Sequence, residues 1–110
     1  ERYESHLDNI KGLKLLKRKT DVEYNYAYFP VLVDGFKKDR ETIIEELANE
    51  GIEARRYFYP LVSDFAAYKN QFDSNLTPIA KHVADHILTL PLHPYLRKKD
   101  VDRICKIILN

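Results

Sequence analysis

Two arginines stand beside three aromatic residues in the segment 54–61, and this grouping could bind a charged, flat ligand. The side chains that carry the chemistry are those of Arg55, Arg56, Tyr57, Phe58 and Tyr59. A guanidinium can clamp a carboxylate or a phosphate, and an aromatic ring can stack on a flat ring. The same run also fits an aromatic strand of the hydrophobic core, so the residues alone leave both interpretations open.

A second cluster, in the segment 90–96, places a histidine and a tyrosine on a turn with two prolines. Pro91 and Pro94 restrict the backbone around His93 and Tyr95. Rigidly held imidazole and phenol groups suit hydrogen bonding to a ligand. A tight turn with a purely structural role is the alternative.

Metal binding and nucleophilic catalysis have weaker support in the sequence. His82 and His86 are four residues apart, so on a helix both imidazoles could reach one ion. No third ligand accompanies them, because Asp85 would point elsewhere on the helix and Cys105 belongs to an apolar stripe. We therefore interpret the histidines as partly exposed residues of a polar helix face and Cys105 as a small core residue.

The composition fits one domain and excludes several classes of function. The chain has 110 residues, 45% of them apolar and 32% charged, with no apolar run long enough to span a membrane. A net charge of +1 gives no basis for nucleic-acid binding. The single cysteine excludes an internal disulfide and favours a reducing, cytoplasmic setting. Because the chain begins at Glu1 and contains no Met, we expect a processed protein or a piece of a larger one.

The hydrophobic pattern predicts an α+β domain in which about four helices pack on a small three-stranded sheet. The first predicted helix runs from residue 1 to about 11 with Gly12 as the stop, and the second from a cap at Asp39 to about 50. The third begins at 77 with a buried face that extends to Ile87. The last begins at about 98 and buries a stripe made of Val101, Ile104, Cys105 and Ile108. The predicted strands are 24–33, 55–59 and 87–92, with a connector at 14–20 and a long loop at 61–75. Both faces of the first strand are apolar, which predicts cover on both sides, and Pro30 predicts a sheet edge or bulge.

These motifs, in this order, resemble the C-terminal small domain of the DegT/DnrJ/EryC1/StrS aminotransferases. The resemblance rests on GIEARRYFYPL with the aromatic loop after it, on LPLHPYL and on DVDRICKII. The stretch YNYAYFPVLVD is similar to the first strand of that domain, and residues 1–12 to the end of the helix that leads into it. The resemblance thus covers nearly the whole chain. The residues of its motifs are most similar to those of members that act on thymidine-diphosphate-linked keto sugars.

The resemblance implies a pyridoxal-phosphate (PLP) enzyme that transfers an amino group, with glutamate as the donor, to a nucleotide-linked keto sugar. In that family the cofactor-binding lysine lies in a large N-terminal domain, which these 110 residues lack. We therefore expect the chain alone to be non-catalytic and to bind no PLP. Intact members are usually homodimers, and an apolar surface around the loop 61–72 would allow the fragment to self-associate.

By similarity, five residues of the two clusters would bind the substrate: His93, Tyr95, Arg55, Tyr57 and Tyr59. They would orient the sugar nucleotide through hydrogen bonds to its diphosphate or sugar hydroxyls. The chain departs from the family pattern at Val62, where many members carry His. It also begins its last helix with Arg97 instead of a Ser cap, at an expected cost of about 0.5–2 kcal/mol.

A free-standing small α/β module is the main alternative from another class of function. Such a module would bind a ligand or another protein through the same aromatic clusters. The open reading frame distinguishes the two, since the aminotransferase requires about 250 further residues upstream of Glu1.

Overall fold

The computed structural model describes all 110 residues and contains four helices and three strands. The helices are α1 (Arg2–Leu7), α2 (Arg40–Asn49), α3 (Pro78–His86) and α4 (Lys98–Leu109). The strands are β1 (Leu13–Leu15), β2 (Phe29–Val33) and β3 (Ile87–Leu90), and two 3-10 turns, Val62–Asp64 and Ser74–Leu76, lie between α2 and α3. None of the helices combines the length and the apolar character needed to cross a bilayer.

The sheet is antiparallel in the order β1-β2-β3, which confirms the α+β class and the count of three strands. Two of the predicted assignments are nevertheless wrong. β1 falls in the stretch predicted as a connector, because three residues are too few for alternation to be recognised. The predicted strand 55–59 makes only one bridge, between Arg55 and Thr89, because the chain turns at Tyr57 and Phe58.

The tyrosine-rich segment 24–33 is only half strand, since β2 begins at Phe29. Tyr24, Tyr26 and Tyr28 are 36, 58 and 55% exposed, so the prediction of cover on both faces is wrong. β1 pairs only with Val31–Val33 and therefore leaves the tyrosines without a neighbouring strand. Tyr26 also has a positive φ of 52°, which interrupts extended backbone.

Pro30 lies in the central strand, where its missing N–H costs no ladder bond. It faces Thr89 of β3, whose own backbone N–H and C=O bond to Arg55 on the other side. The pair is therefore the non-hydrogen-bonded type, and the Pro30 nitrogen points away from β3. On that side β1 has already ended, so Pro30 occupies a local edge within a central strand.

One hydrophobic core joins the sheet to α1, α2 and α4. The predicted stripe of α4 is confirmed, as its four members are buried: Val101, Ile104, Cys105 and Ile108.

Asp39 caps α2 as predicted, because its Oδ1 accepts a hydrogen bond of 2.8 Å from the backbone N–H of Thr42. The start of α4 is also stabilised, since Asp100 Oδ2 accepts from the backbone N–H of Arg97 at 3.3 Å and from its Nε at 2.8 Å. An acidic partner thus replaces the missing Ser cap.

The predicted buried face of α3 is wrong. Of its apolar residues only Ala84 is buried, whereas Ile79 is 81% and Val83 38% exposed. Further large apolar side chains of the preceding segment are exposed as well: Val62, Phe65, Tyr68, Phe72 and Leu76. The loop 61–72 presents an apolar surface, as expected, and α3 extends this surface contrary to the prediction.

Candidate functional site

A cavity of about 600 Å³ opens between the segment 51–57, the residues after β3 and the first half of α4. Its polar and aromatic lining residues are Tyr28, Glu53, Arg55, Tyr57, Thr89, His93, Arg97, Asp100 and Arg103. The structure thus brings Arg55, Tyr57 and His93, three of the five predicted site residues, to one cavity. Tyr59 and Tyr95 do not line it.

Arg55 is held at the cavity by its backbone and by its side chain. Its N–H and C=O pair with Thr89 at 3.1 and 2.8 Å, which attaches the segment to the free edge of β3. Its guanidinium donates to Glu53 Oε1 at 2.9 Å and to the Tyr57 hydroxyl at 2.7 Å. These contacts, first of all the one to Glu53, raise the pKa of Arg55, so the guanidinium is a permanent cation at the rim.

Tyr57 belongs to an aromatic cluster that forms one wall of the cavity. Its ring lies 5.5 Å from that of Tyr28 in an edge-on contact and 5.2 Å from that of Phe58 in a stacked one. Such rings offer a flat apolar surface with hydroxyl groups at its edge. Tyr28 was missed by the sequence analysis, because alternation assigned it to a covered strand face.

The two residues of the proline-braced turn have different surroundings. His93 lines the cavity, and its carbonyl accepts a hydrogen bond of 3.1 Å from the backbone N–H of Leu96. Tyr95 is 89% exposed. His93 therefore borders the same space as Arg55, whereas Tyr95 does not.

The other two residues of the arginine-aromatic segment have partners outside the cavity. Arg56 forms an ion pair with Glu41 of α2. The Tyr59 ring lies 4.8 Å from the guanidinium of Arg40, a buried arginine whose Nη1 donates to the carbonyl of Ala84 at 2.5 Å. These contacts fix the segment on α2 and α3 and leave Arg55 as its cation at the cavity.

Three charged residues, the N-cap of α4 and two residues of its first half, complete the rim and were not predicted from the sequence. Arg97, Asp100 and Arg103 follow one another at intervals of three, a spacing that places them on one helix face. Arg97 pairs with Asp100, and Arg103 Nη2 donates to Glu50 Oε2 at 2.6 Å. Each arginine at the rim thus has a carboxylate partner, which an anionic ligand would have to replace.

The remaining reactive groups lie elsewhere. Burial raises the pKa of the Cys105 thiol to about 11, so this core residue is no nucleophile at neutral pH. His82 and His86 have a third potential ligand that the sequence analysis did not find. It is Asp34, which follows β2, and one ligand atom of each residue lies within 4.8 Å of the others.

Comparison with known proteins identifies the family. The model of the DegT/DnrJ/EryC1/StrS aminotransferase family matches residues 1–109. The dTDP-4-amino-4,6-dideoxy-D-glucose transaminase of Escherichia coli is 34% identical over 111 aligned residues, which cover 98% of this chain and 30% of that enzyme. The enzyme of the same name from Shigella dysenteriae is 34% identical over 96% of this chain and 29% of its own length. The chain thus spans about three-tenths of the length of the curated relatives it matches.

Solved structures agree with this result. A protein described as a sugar aminotransferase from Streptococcus pneumoniae, in its PMP form, superposes with a TM-score of 0.83 at 34% identity, over 96% of this chain and 27% of its own. The same protein is also known in a PLP form. DesI, determined in the presence of its TDP-sugar product, superposes with a TM-score of 0.86 at 25% identity, over 97% of this chain and 28% of its own. The 110-residue chain therefore belongs to the DegT/DnrJ/EryC1/StrS aminotransferase family.

Proposed function

We propose that the chain is the C-terminal small domain of a PLP-dependent enzyme that transfers an amino group to a nucleotide-linked keto sugar. The amino donor would be an amino acid, glutamate in our proposal. The observation that carries the proposal is the 34% identity to a dTDP-sugar transaminase across 98% of the chain, which includes every residue that lines the cavity. The intact enzyme would be a homodimer.

The cavity of this chain does not fit PLP. Capture of the cofactor requires a lysine amine, and none of the 17 residues that line the cavity is a lysine. The cofactor would therefore be held by the part of the enzyme outside these 110 residues, and the chain alone would be inactive.

The role of this chain would be to bind and orient the substrate. Arg55 and His93 face the same cavity and can donate hydrogen bonds to a diphosphate or to sugar hydroxyls. The rings of Tyr28 and Tyr57 offer a surface on which a flat base could stack. Tyr59 and Tyr95, the other two residues predicted from the sequence, lie outside this cavity, so the proposed site consists of Arg55, Tyr57 and His93 together with Tyr28.

The experiment is an assay of the full-length gene product. We expect it to require PLP and to convert a thymidine-diphosphate-linked 4-keto sugar to the 4-amino sugar, with glutamate as the donor. Mass spectrometry would detect the amino sugar product. The 110-residue chain mixed with PLP should give neither product nor the absorbance band of lysine-bound cofactor. An open reading frame that starts just before Glu1, or a full-length protein inactive on every keto sugar nucleotide, would contradict the proposal and favour a free-standing binding module.

A further inference from the structure

A cluster of three potential metal ligands, Asp34, His82 and His86, lies where α3 packs beside β2. The histidines lie on successive turns of α3, and Asp34 directly follows β2. His82 Nε2 is 3.1 Å from Asp34 Oδ2, and the two imidazole rings are 4.2 Å apart and 25° from parallel. Three ligand atoms from two elements of the fold thus lie within 4.8 Å of one another.

The hydrogen bond of the second histidine leaves one of its ring nitrogens free for a metal ion. His86 Nδ1 lies 2.7 Å from the backbone carbonyl of His82. A carbonyl only accepts, so Nδ1 carries the proton and Nε2 keeps its lone pair. A hydrogen bond from the second ring nitrogen to a carbonyl is the arrangement that usually fixes metal-binding histidines.

The first histidine and the aspartate share a hydrogen that an ion can replace. In the pair His82–Asp34 one hydrogen lies between Nε2 and Oδ2. A metal ion at this position would bind Nε2 of the neutral imidazole, whose one N–H then lies on Nδ1, and any displaced proton would pass to the solvent. His82 is 47% and Asp34 39% exposed, so both side chains can make the small rotations that bring the three ligand atoms to one ion. The nearest lysine on the helix, Lys81, is engaged with Asn75 Oδ1 at 3.0 Å.

We propose that a divalent metal ion such as Zn²⁺ binds to Asp34, His82 and His86 and joins α3 to the end of β2. Two imidazoles and one carboxylate suit Zn²⁺, whereas Mg²⁺ and Ca²⁺ prefer ligand sets made of oxygen alone. The remaining coordination positions are open to water. The site lies apart from the cavity, since none of its three residues lines it.

The test is titration of the 110-residue chain with ZnCl₂ in a non-chelating buffer, by calorimetry. We expect one ion per chain and a loss of affinity of about tenfold or more in His82→Asn, His86→Asn and Asp34→Asn. Asp85→Asn removes an exposed carboxylate of the same helix that is no member of the cluster, and it should bind like the unmodified chain. MgCl₂ should give no comparable binding.

Nitrogen-15 NMR of the histidine side chains provides a measurement on the unmodified chain, which decides the question even if a variant fails to fold. Zn²⁺ should shift the ring resonances of His82 and His86 and leave those of His6 and His93 in place. Equal affinity of Asp34→Asn and Asp85→Asn, shifts at His6 or His93 instead, or equally tight Mg²⁺ binding would each overturn the proposal.

Discussion

The backbones of Arg55 and Thr89 exchange two hydrogen bonds, of 3.1 and 2.8 Å, and form the single bridge between the arginine-aromatic segment and the sheet. Thr89 lies on β3, four residues before His93. The bridge therefore brings two clusters that are distant in sequence to the same cavity. Arg55 and His93 thus line one cavity, which is the geometric basis of the proposed substrate site.

Arg55→Lys in the full-length enzyme should raise KM for the nucleotide sugar about five- to tenfold and change kcat less than about twofold. Lysine keeps the charge but cannot form the two parallel hydrogen bonds by which a guanidinium binds two oxygens, which reduces the binding free energy by about 1 kcal/mol. Steady-state kinetics with a varied sugar nucleotide measure this. The matched control is Arg56→Lys, because Arg56 pairs with Glu41 outside the cavity. Equal KM values for the two variants would remove Arg55 from the substrate site.

His93→Ala should raise KM about tenfold and lower kcat less, because it would remove the proposed hydrogen bond to the substrate, a contact worth about 1–1.5 kcal/mol. Tyr95 lies on the same turn, but only His93 lines the cavity. Tyr95→Phe should accordingly change KM less than about twofold. Unchanged kinetics of His93→Ala would assign a structural role to the histidine.

Arg40→Met should destabilise the 110-residue chain by about 2–3 kcal/mol. The Arg40 guanidinium donates to the carbonyl of Ala84, in the last turn of α3, and methionine would leave that buried oxygen without a partner. Glu41→Gln is the control, because Glu41 is half exposed and its ion pairs should contribute less than about 1 kcal/mol. Urea unfolding followed by circular dichroism measures both variants. Equal losses would mean that the ion pair to Glu41, and not the bond to Ala84, is the important contact.

The amphipathic parts of the chain were predictable from its sequence, because their signal is local. The stripe of α4, the Asp39 cap of α2 and the strand at Ile87–Leu90 depend on residues a few positions apart. β1 was not predictable, since its three residues become a strand only by pairing with β2. Helical periodicity correctly predicted the helix α3 but wrongly predicted that its apolar face is buried, since this face lies at the surface.

Part of the cavity was predictable as well, again because the signal is local in the sequence. Arg55, Tyr57 and His93 belong to compact motifs, and their residue types alone indicate ligand binding. Asp34 was not predictable as a partner of His82, because the two are 48 positions apart and meet only through the packing of α3 beside β2. Long-range pairs of this kind leave no spacing in the sequence from which they could be recognised.

The contact between α1 and α4 should make the stability of the chain depend on pH in the acid range. Asp102 Oδ1 and Oδ2 each accept a hydrogen bond of 2.7 Å from Arg2, and Oδ1 also lies 2.7 Å from His6 Nε2. These groups, first of all Arg2, lower the pKa of Asp102 to about 2. In the unfolded chain the same carboxyl titrates near its usual value of about 3.9. The folded state therefore binds this proton more weakly, and the stabilisation is complete above about pH 4 and lost as the pH falls towards 2.

Other carboxyl groups of the chain also titrate in this range, so the contribution of Asp102 is isolated by comparison with a variant. Asp102→Asn has no carboxyl group to titrate at this position, so its urea midpoint should fall less steeply than that of the unmodified chain between pH 4 and 2. At pH 6 the variant should be the less stable of the two. Asp85→Asn, which removes an exposed carboxylate of α3, should keep the original pH profile. Parallel profiles for the unmodified chain and Asp102→Asn would show that the contact with Arg2 and His6 does not hold α1 on α4 in solution.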